Sequence, residues 1–289
     1  MDTPFDRDEV LKLVRMALAE DVGRGDVTTN AAVPADATAR ANVVAREPGV
    51  VAGLAVIDVI FRELGGVVRI ELRAKDGERV ERRTVLAILE GNARTILAAE
   101  RTLLNFLQRL SGIATLTRRF VDAVAGTRAR IYDTRKTTPG WRTIEKYAVR
   151  VGGGENHRMG LYDMALIKDN HLAWMRAQGR NLADVVADLR RKHPAMPVEV
   201  EAEDDDGIRE VVAAGSDMIL LDNMTPARLA EAVRLVESLA GEKRPELEAS
   251  GGVTLDTVRA IAESGVDRIS VGALTHSAKA LDIALDFET

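Results

Sequence analysis

The stretch DTRKTTPGWR, residues 133–142, sets Arg135, Lys136 and Arg142 around threonines, a proline and a glycine. Cations beside a tight turn are what an anion-binding loop needs, and arginine suits a bidentate grip on carboxylate or phosphate. Further along, GGGENHR supplies His157 and Arg158, with a glycine run that lets the backbone come close to a ligand. ALIKDN carries Lys168 behind three apolar residues, which aims it at a lined cavity, either to pair structurally or to face a ligand carboxylate. Carboxylates follow, Glu201 at the end of VEVE and Asp222 in LLDN. They either neutralise the cations or form a hard-cation site, since Mg²⁺ takes one or two carboxylates together with water and phosphate oxygens. Last come small residues, Ser250-Gly251-Gly252 and Gly272, each leading toward a helix start as a phosphate cradle does. Glu203 to Asp206 read as an acid-rich helix N-terminus, and His171, His193 and His276 lack metal-ligand spacing.

The elements that must position these groups fall into two patterns. Up to about residue 112 the chain reads as mixed α/β. A helix is predicted over 8–21 from Val10, Leu11, Leu13, Val14 and Leu18, followed by short strands with turns at Pro48-Gly49 and Asp76-Gly77. A long helical stretch begins near Asn92, with a break expected near Ser111-Gly112. After Gly126 short apolar runs with polar ends recur, each followed by a helical stretch. The polar ends are Lys136, Lys168, Glu201, Asp222, Ser250 and Gly272, spaced by 32, 33, 21, 28 and 22 residues, the size of a strand–helix unit. Thr225-Pro226 and Thr254 read as helix starts. Six such units imply a parallel sheet. Glu199, Glu201 and Glu248 inside the strands argue for a closed barrel, because carboxylates are untenable in a flat sheet covered by helices on both faces.

Composition narrows the partners. The chain has 289 residues, is 46% hydrophobic with 3% aromatics, and carries a formal net charge of −5. It contains no cysteine, which excludes disulfides, thiolate metal sites and a cysteine nucleophile and is compatible with a reducing cytosol. MDTPFDRDEV lacks the marks of a signal peptide and no apolar run approaches a membrane span, so a cytoplasmic location is expected. Residues 101–176 nevertheless hold 14 Lys/Arg against 6 Asp/Glu. A solvated face or a nucleic-acid patch would also be basic. Interleaving with glycines and apolar strands in an acidic protein favours a small, highly charged anion.

On these residues the chain resembles the quinolinate phosphoribosyltransferase family (nicotinate-nucleotide pyrophosphorylase, carboxylating). The resemblance runs from AEDVGRGDVTT through ERTLLNFLQRLSGIAT, DTRKTTPGWRTIEKYAVRVGGGENHR, ALIKDNH, VEVE, ILLDN and ASGG to ISVGALTHS, without departure at a motif position. Molybdenum-transport-associated paralogues share the RKT-PG and GGG features but are not expected to keep KYAVRVGGGENHR and IKDNH intact, as this chain does.

The resemblance implies an irregular (β/α) barrel over 113–272 behind an N-terminal open-faced α/β sandwich over 1–112, rejoined by the tail 273–289. It implies transfer of the phosphoribosyl group of 5-phosphoribosyl-1-pyrophosphate to quinolinate with loss of CO₂, giving nicotinate mononucleotide and pyrophosphate in NAD biosynthesis. It also implies Mg²⁺ and a homodimer in which Arg101 completes the neighbouring subunit's site. Quinolinate would be held by Arg101, Arg135, His157, Arg158 and Lys168. Lys136 would face the ribose and pyrophosphate, with Glu201 and Asp222 beside the reacting carbon and the metal. Ser250, Gly251, Gly252 and Gly272 would hold the 5′-phosphate, and the catalytic set would be Lys136, Lys168, Glu201 and Asp222. A Schiff-base lyase using Lys168 and a non-catalytic sensor of phosphoribosyl metabolites are the other classes the residues allow.

Overall fold

The computed structural model describes residues 7–241 and 243–288; residues 1–6, which belong to the stretch read as lacking a signal peptide, lie outside the described residues. The chain opens with α1 (Arg7–Asp21), α2 (Val27–Ala32), β1 (Thr38–Ala45), β2 (Gly49–Val50) and α3 (Ala55–Leu64). Next come β3 (Val68–Leu72), β4 (Arg79–Val80), β5 (Val85–Asn92) and the long α4 (Ala93–Ala123). The middle holds β6 (Arg130–Tyr132), α5 (Arg142–Val151), β7 (Ala165–Ile167), α6 (Asp169–Ala177), α7 (Leu182–Lys192) and β8 (Val198–Ala202). The remainder is α8 (Asp205–Ala213), β9 (Met218–Asp222), α9 (Pro226–Leu239), β10 (Glu246–Ser250), α10 (Val258–Glu263), β11 (Arg268–Ser270), α11 (Ala273–His276) and β12 (Ile283–Phe287). No helix among the described residues is long and apolar enough to cross a membrane.

Two compact units result: 1–118 with 136–153 and 273–289, and 119–135 with 154–272. The first is built on an antiparallel sheet in the order β12-β1-β5-β3, in which the C-terminal strand pairs with β1 from Ala41↔Phe287 to Ala45↔Ile283. Helix α1 packs on α3 and buries Val10, Leu13, Val14 and Leu18, the stripe its period predicts. Helix α4 runs unbroken through Ser111-Gly112, against the expected break. A Cβ on Gly112 would lie 2.1 Å from the Lys279 carbonyl oxygen and 3.0 Å from Ala280 Cα. This glycine therefore serves close packing of the C-terminal segment on the helix. Gly152 behaves alike: a Cβ there would lie 2.6 Å from the Ala114 carbonyl oxygen. The GGG run is thus a packing and helix-ending device at its first residue.

The second unit is a parallel sheet in the order β6-β11-β10-β9-β8-β7. Residues 154–157 extend it past β6, through a parallel bridge between Tyr132 and Glu155. Laid flat, β6 and β8 would be four strand spacings apart, about 19 Å. Yet His157, whose N–H donates to Asp133 Oδ1 just beyond β6 at 2.9 Å, places Nε2 3.2 Å from Glu199 on β8. Only a sheet curled into a barrel brings those strands together, with the ladder's seam beside β7. All five residues of β8 are buried, Val198, Val200 and Ala202 on one face and the two glutamates on the other. Helix caps follow the sequence: Asp204 accepts from Gly207 N at 2.8 Å, and Thr225 accepts from Arg228 N before Pro226. Thr254 is the exception. Its N–H donates to Thr257 Oγ1 at 3.0 Å in a turn preceding α10, so the helix starts at Val258.

Candidate active site

The strand register decides which side chains meet. Leu166 pairs with Glu199, Glu201 with Leu220, Leu220 with Glu248, Glu248 with Arg268 and Asp222 with Ser250. With a side-chain period of two, Glu199, Glu201, Asp222, Glu248, Ser250 and Arg268 share one face. Lys168 continues that face two residues beyond Leu166, its backbone still extended at φ −105 and ψ 169. Glu201, Asp222, Ser250 and Lys168 all lie at C-terminal strand ends, where barrel active sites form.

Like charges sit near one another at this mouth in two places. Burial first, and Asp222 second, raise the Glu201 carboxyl above its ordinary range against the pull of Lys168. Two hard carboxylates with too little positive charge between them fit a divalent cation, and the donor set is the one Mg²⁺ accepts. Across the rim, burial and then Arg135 lower the Arg158 guanidinium. Glu199 and Asp163 act in the opposite sense on Arg158 and favour its charged form. Arg158 is also tethered by its Nη1 to the Met164 carbonyl at 3.2 Å.

His157 lies beneath this rim and is 8% exposed. Its Nε2 is 3.2 Å from Glu199 and 3.3 Å from Glu248, and Arg268 Nε is 2.9 Å from Glu248. Burial alone would lower His157, but the two glutamates outweigh it and push it up to about 9. At Nδ1, however, the ring accepts the Arg158 amide at 2.8 Å, and a proton there would break that bond. The geometry therefore puts the ring proton on Nε2, between the carboxylates. Burial and Glu248 raise Glu199, whereas His157 and Arg268 overcome burial and keep Glu248 low. His157, Glu199 and Glu248 have ligand atoms within 4.8 Å of one another, the only such trio among the described residues. Arg268 already supplies a cation there. An apolar cavity of about 550 Å³, lined by Leu161, Met164, Trp174 and Leu189, adjoins Arg158 but contains none of the strand-end carboxylates.

Two other predicted residues belong to the first unit. Arg101 is exposed on α4. Lys136 is exposed, and its carbonyl accepts from Thr275 Oγ1 at 2.8 Å. The TTPG turn beyond it is anchored by Glu145, fully buried on α5. Glu145 accepts from Thr138 N (3.0 Å), Thr138 Oγ1 (2.8 Å) and Arg109 Nη2 (2.8 Å). Arg142 donates to Thr137 Oγ1 at 3.2 Å and so supports the loop it opens. In the second unit, Gly251 and Gly252 have φ of +94 and +60, and a Cβ on Gly252 would meet nothing within 4 Å. That leaves an open backbone concavity beside Ser250. Helices α10 and α11 have only six and four residues, too short for a strong helix dipole.

Comparison with known proteins now decides the family. The family model for the quinolinate phosphoribosyl transferase C-terminal domain matches residues 113–286, and the N-terminal domain model matches 26–111. The chain belongs to the quinolinate phosphoribosyl transferase family. A nicotinate-nucleotide pyrophosphorylase (carboxylating), chloroplastic, of Arabidopsis thaliana is 45% identical over 293 residues, covering 96% of this chain and 82% of the relative. The nicotinate-nucleotide pyrophosphorylase (carboxylating) of Mycobacterium leprae is 45% identical over 276 residues, covering 94% and 95%. Among solved structures, the nicotinate-nucleotide pyrophosphorylase of Francisella tularensis superposes with a TM-score of 0.90 at 37% identity, covering 98% and 97%.

Several residues that hold these candidate residues in place carry little signal in the sequence. Asp133 anchors the 156–157 turn, accepting from His157 N at 2.9 Å and Asn156 Nδ2 at 2.6 Å. Its position in DTRK, at a strand end, was the available signal. Glu145 and Arg268 sit in helix and strand periods without a local mark, and only their burial exposes them. Asn223 follows Asp222 in LLDN, and an uncharged amide beside a carboxylate carries no mark of its role.

Proposed function

We infer that this protein joins quinolinate to 5-phosphoribosyl-1-pyrophosphate and releases pyrophosphate and CO₂, leaving nicotinate mononucleotide for NAD biosynthesis. What supports this reading is the grouping of charge at one barrel mouth: Arg158 beside Arg135 on one side, Glu201 with Asp222 and Lys168 on the other. Quinolinate is a pyridine with adjacent carboxylates, and Arg135, Arg158 and Lys168 grip them while holding the ring nitrogen toward the sugar. That nitrogen attacks the ribose anomeric carbon as the bond to pyrophosphate breaks. Positive charge grows on the sugar, and Glu201 and Asp222 stabilise it. A divalent cation held by Glu201 and Asp222 would, when bound, neutralise charge on the leaving pyrophosphate. The ring nitrogen, now cationic, stabilises the carbanion left when the 2-carboxylate departs as CO₂, and that carbon then takes a proton.

In this reading Lys136 faces the pyrophosphate and ribose, and Ser250, Gly251, Gly252 and Gly272 hold the 5′-phosphate. His157 serves the quinolinate grip through Arg158, whose amide it holds. Arg101, exposed on α4, acts in the site of a second copy in a homodimer. We place the enzyme in the cytoplasm, a reducing compartment that suits a cysteine-free chain; relatives from plants are named chloroplastic or mitochondrial. Mass spectrometry of the products with quinolinate or with nicotinate as acceptor tests the proposal. Nicotinate mononucleotide from quinolinate is expected, and turnover of nicotinate in preference would assign a different base.

A further inference from the structure

Asn223 occupies an unusual position between the two halves of the donor site. It is a non-glycine residue with φ of +53, in the left-handed region that asparagine tolerates better than most residues. Its Nδ2 donates to Asp222 Oδ2 at 2.6 Å, and its backbone N–H donates to the Ser250 carbonyl at 2.9 Å. Its Oδ1 lies 2.1 Å from where a Cβ on Gly251 would stand. One side chain thus orients the Asp222 carboxylate and fills the space against the glycine turn. The backbone bond ties the end of β9 to the end of β10, next to the Asp222↔Ser250 pair.

From this juxtaposition we propose that Asn223 is a positioning residue specific for the phosphoribosyl donor, holding the carboxylate and the phosphate-gripping turn in one register. The inference rests on the reading that Asp222 and residues 250–252 serve that donor. It separates Asn223 from the quinolinate side, because none of these contacts involves Arg135, Arg158 or Lys168.

The test is steady-state kinetics on the full chain for Asn223→Gly, Asn223→Asp and Asp222→Asn, varying donor, quinolinate and Mg²⁺ in turn. Asn223→Gly keeps the backbone conformation and removes the amide. The expected result is a rise of about tenfold in the KM for the donor and in the Mg²⁺ needed for half-activation. The KM for quinolinate stays within about twofold, as expected when no contact to it is lost. Asn223→Asp keeps size and backbone but sets a carboxylate against Asp222, and its larger defect is eased by raising Mg²⁺. If Asn223→Gly leaves the donor KM unchanged, or raises both KM values equally, while Asp222→Asn is impaired toward the donor, the positioning role is overturned and the site reading stands. If Asp222→Asn itself leaves the donor and Mg²⁺ responses unchanged, the site reading falls and the inference falls with it.

Discussion

Substituting His157 in two isosteric ways separates its two contacts. Asparagine keeps an oxygen near the Nδ1 position for the Arg158 amide, now accepted at 2.8 Å, and removes the Nε2 that faces Glu199 at 3.2 Å and Glu248 at 3.3 Å. Glu248 retains Arg268 at 2.9 Å, so Glu199 is the carboxylate left uncompensated in the barrel interior. Breaking a buried pair of this kind costs about 3 kcal/mol at the lower end of measured cases, because the stranded acid can take a proton. With an unfolding entropy of roughly 0.6 kcal/mol/K for a chain of this size, the melting temperature falls by about 5 °C. The sign with pH follows from Glu199, raised in the fold by burial and Glu248. An acid that binds its proton more tightly when folded weakens the fold as pH rises past its unfolded value. Scanning calorimetry of His157→Asn should therefore show a larger deficit at pH 8 than at pH 5, with the KM for quinolinate little changed. Glutamine does the reverse, keeping a donor toward the glutamates while abandoning the Arg158 amide. Its melting temperature should stay within about 2 °C of wild type while the quinolinate KM rises several-fold. An Asn variant as stable as wild type at pH 8, or one with the same deficit at both pH values, would refute the reasoning.

Arg135→Ala should raise the KM for quinolinate far more than that for the donor, and equal effects in initial-rate measurements would mean its role is misassigned. Glu201→Gln should lose about 10² or more in kcat while retaining its circular dichroism spectrum and melting temperature, as expected for lost transition-state electrostatics. In protein free of divalent cations the Glu201 carboxyl should titrate above the ordinary carboxylate range, because burial and then Asp222 raise it. Asp222→Asn should move that titration to lower pH by NMR, and an unmoved one would assign the rise to another group.

Much of the barrel was legible because its grammar is local. Apolar runs with polar ends mark the six strands, and intrastrand carboxylates at Glu199, Glu201 and Glu248 point to a closed barrel rather than a flat sheet covered on both faces. That Lys168, Glu201, Asp222 and Ser250 share one face follows from the strand register, which the structure supplies. What stayed hidden depends on pairs far apart in the chain. Nothing near Gly112 announces that a carbonyl 167 residues later will press on it, so a helix-weakening residue read as a break. Thr254 reads as a helix start, but the helix begins a turn later because the Thr254 N–H donates to Thr257 Oγ1. Likewise His157 reads as a rim cation by its neighbours Asn156 and Arg158, while its actual partners come from β8 and β10. The glutamates were visible and so was the histidine; that they would meet required the closure of the sheet.

The central claim is that one mouth both transfers the phosphoribosyl group and releases a carboxylate. Trapping labelled CO₂ from quinolinate carrying the label in its 2-carboxyl group, alongside pyrophosphate release, tests it most directly. The account predicts equal amounts of the two products, both dependent on the donor. Folded protein that releases pyrophosphate without CO₂, or neither, would contradict it.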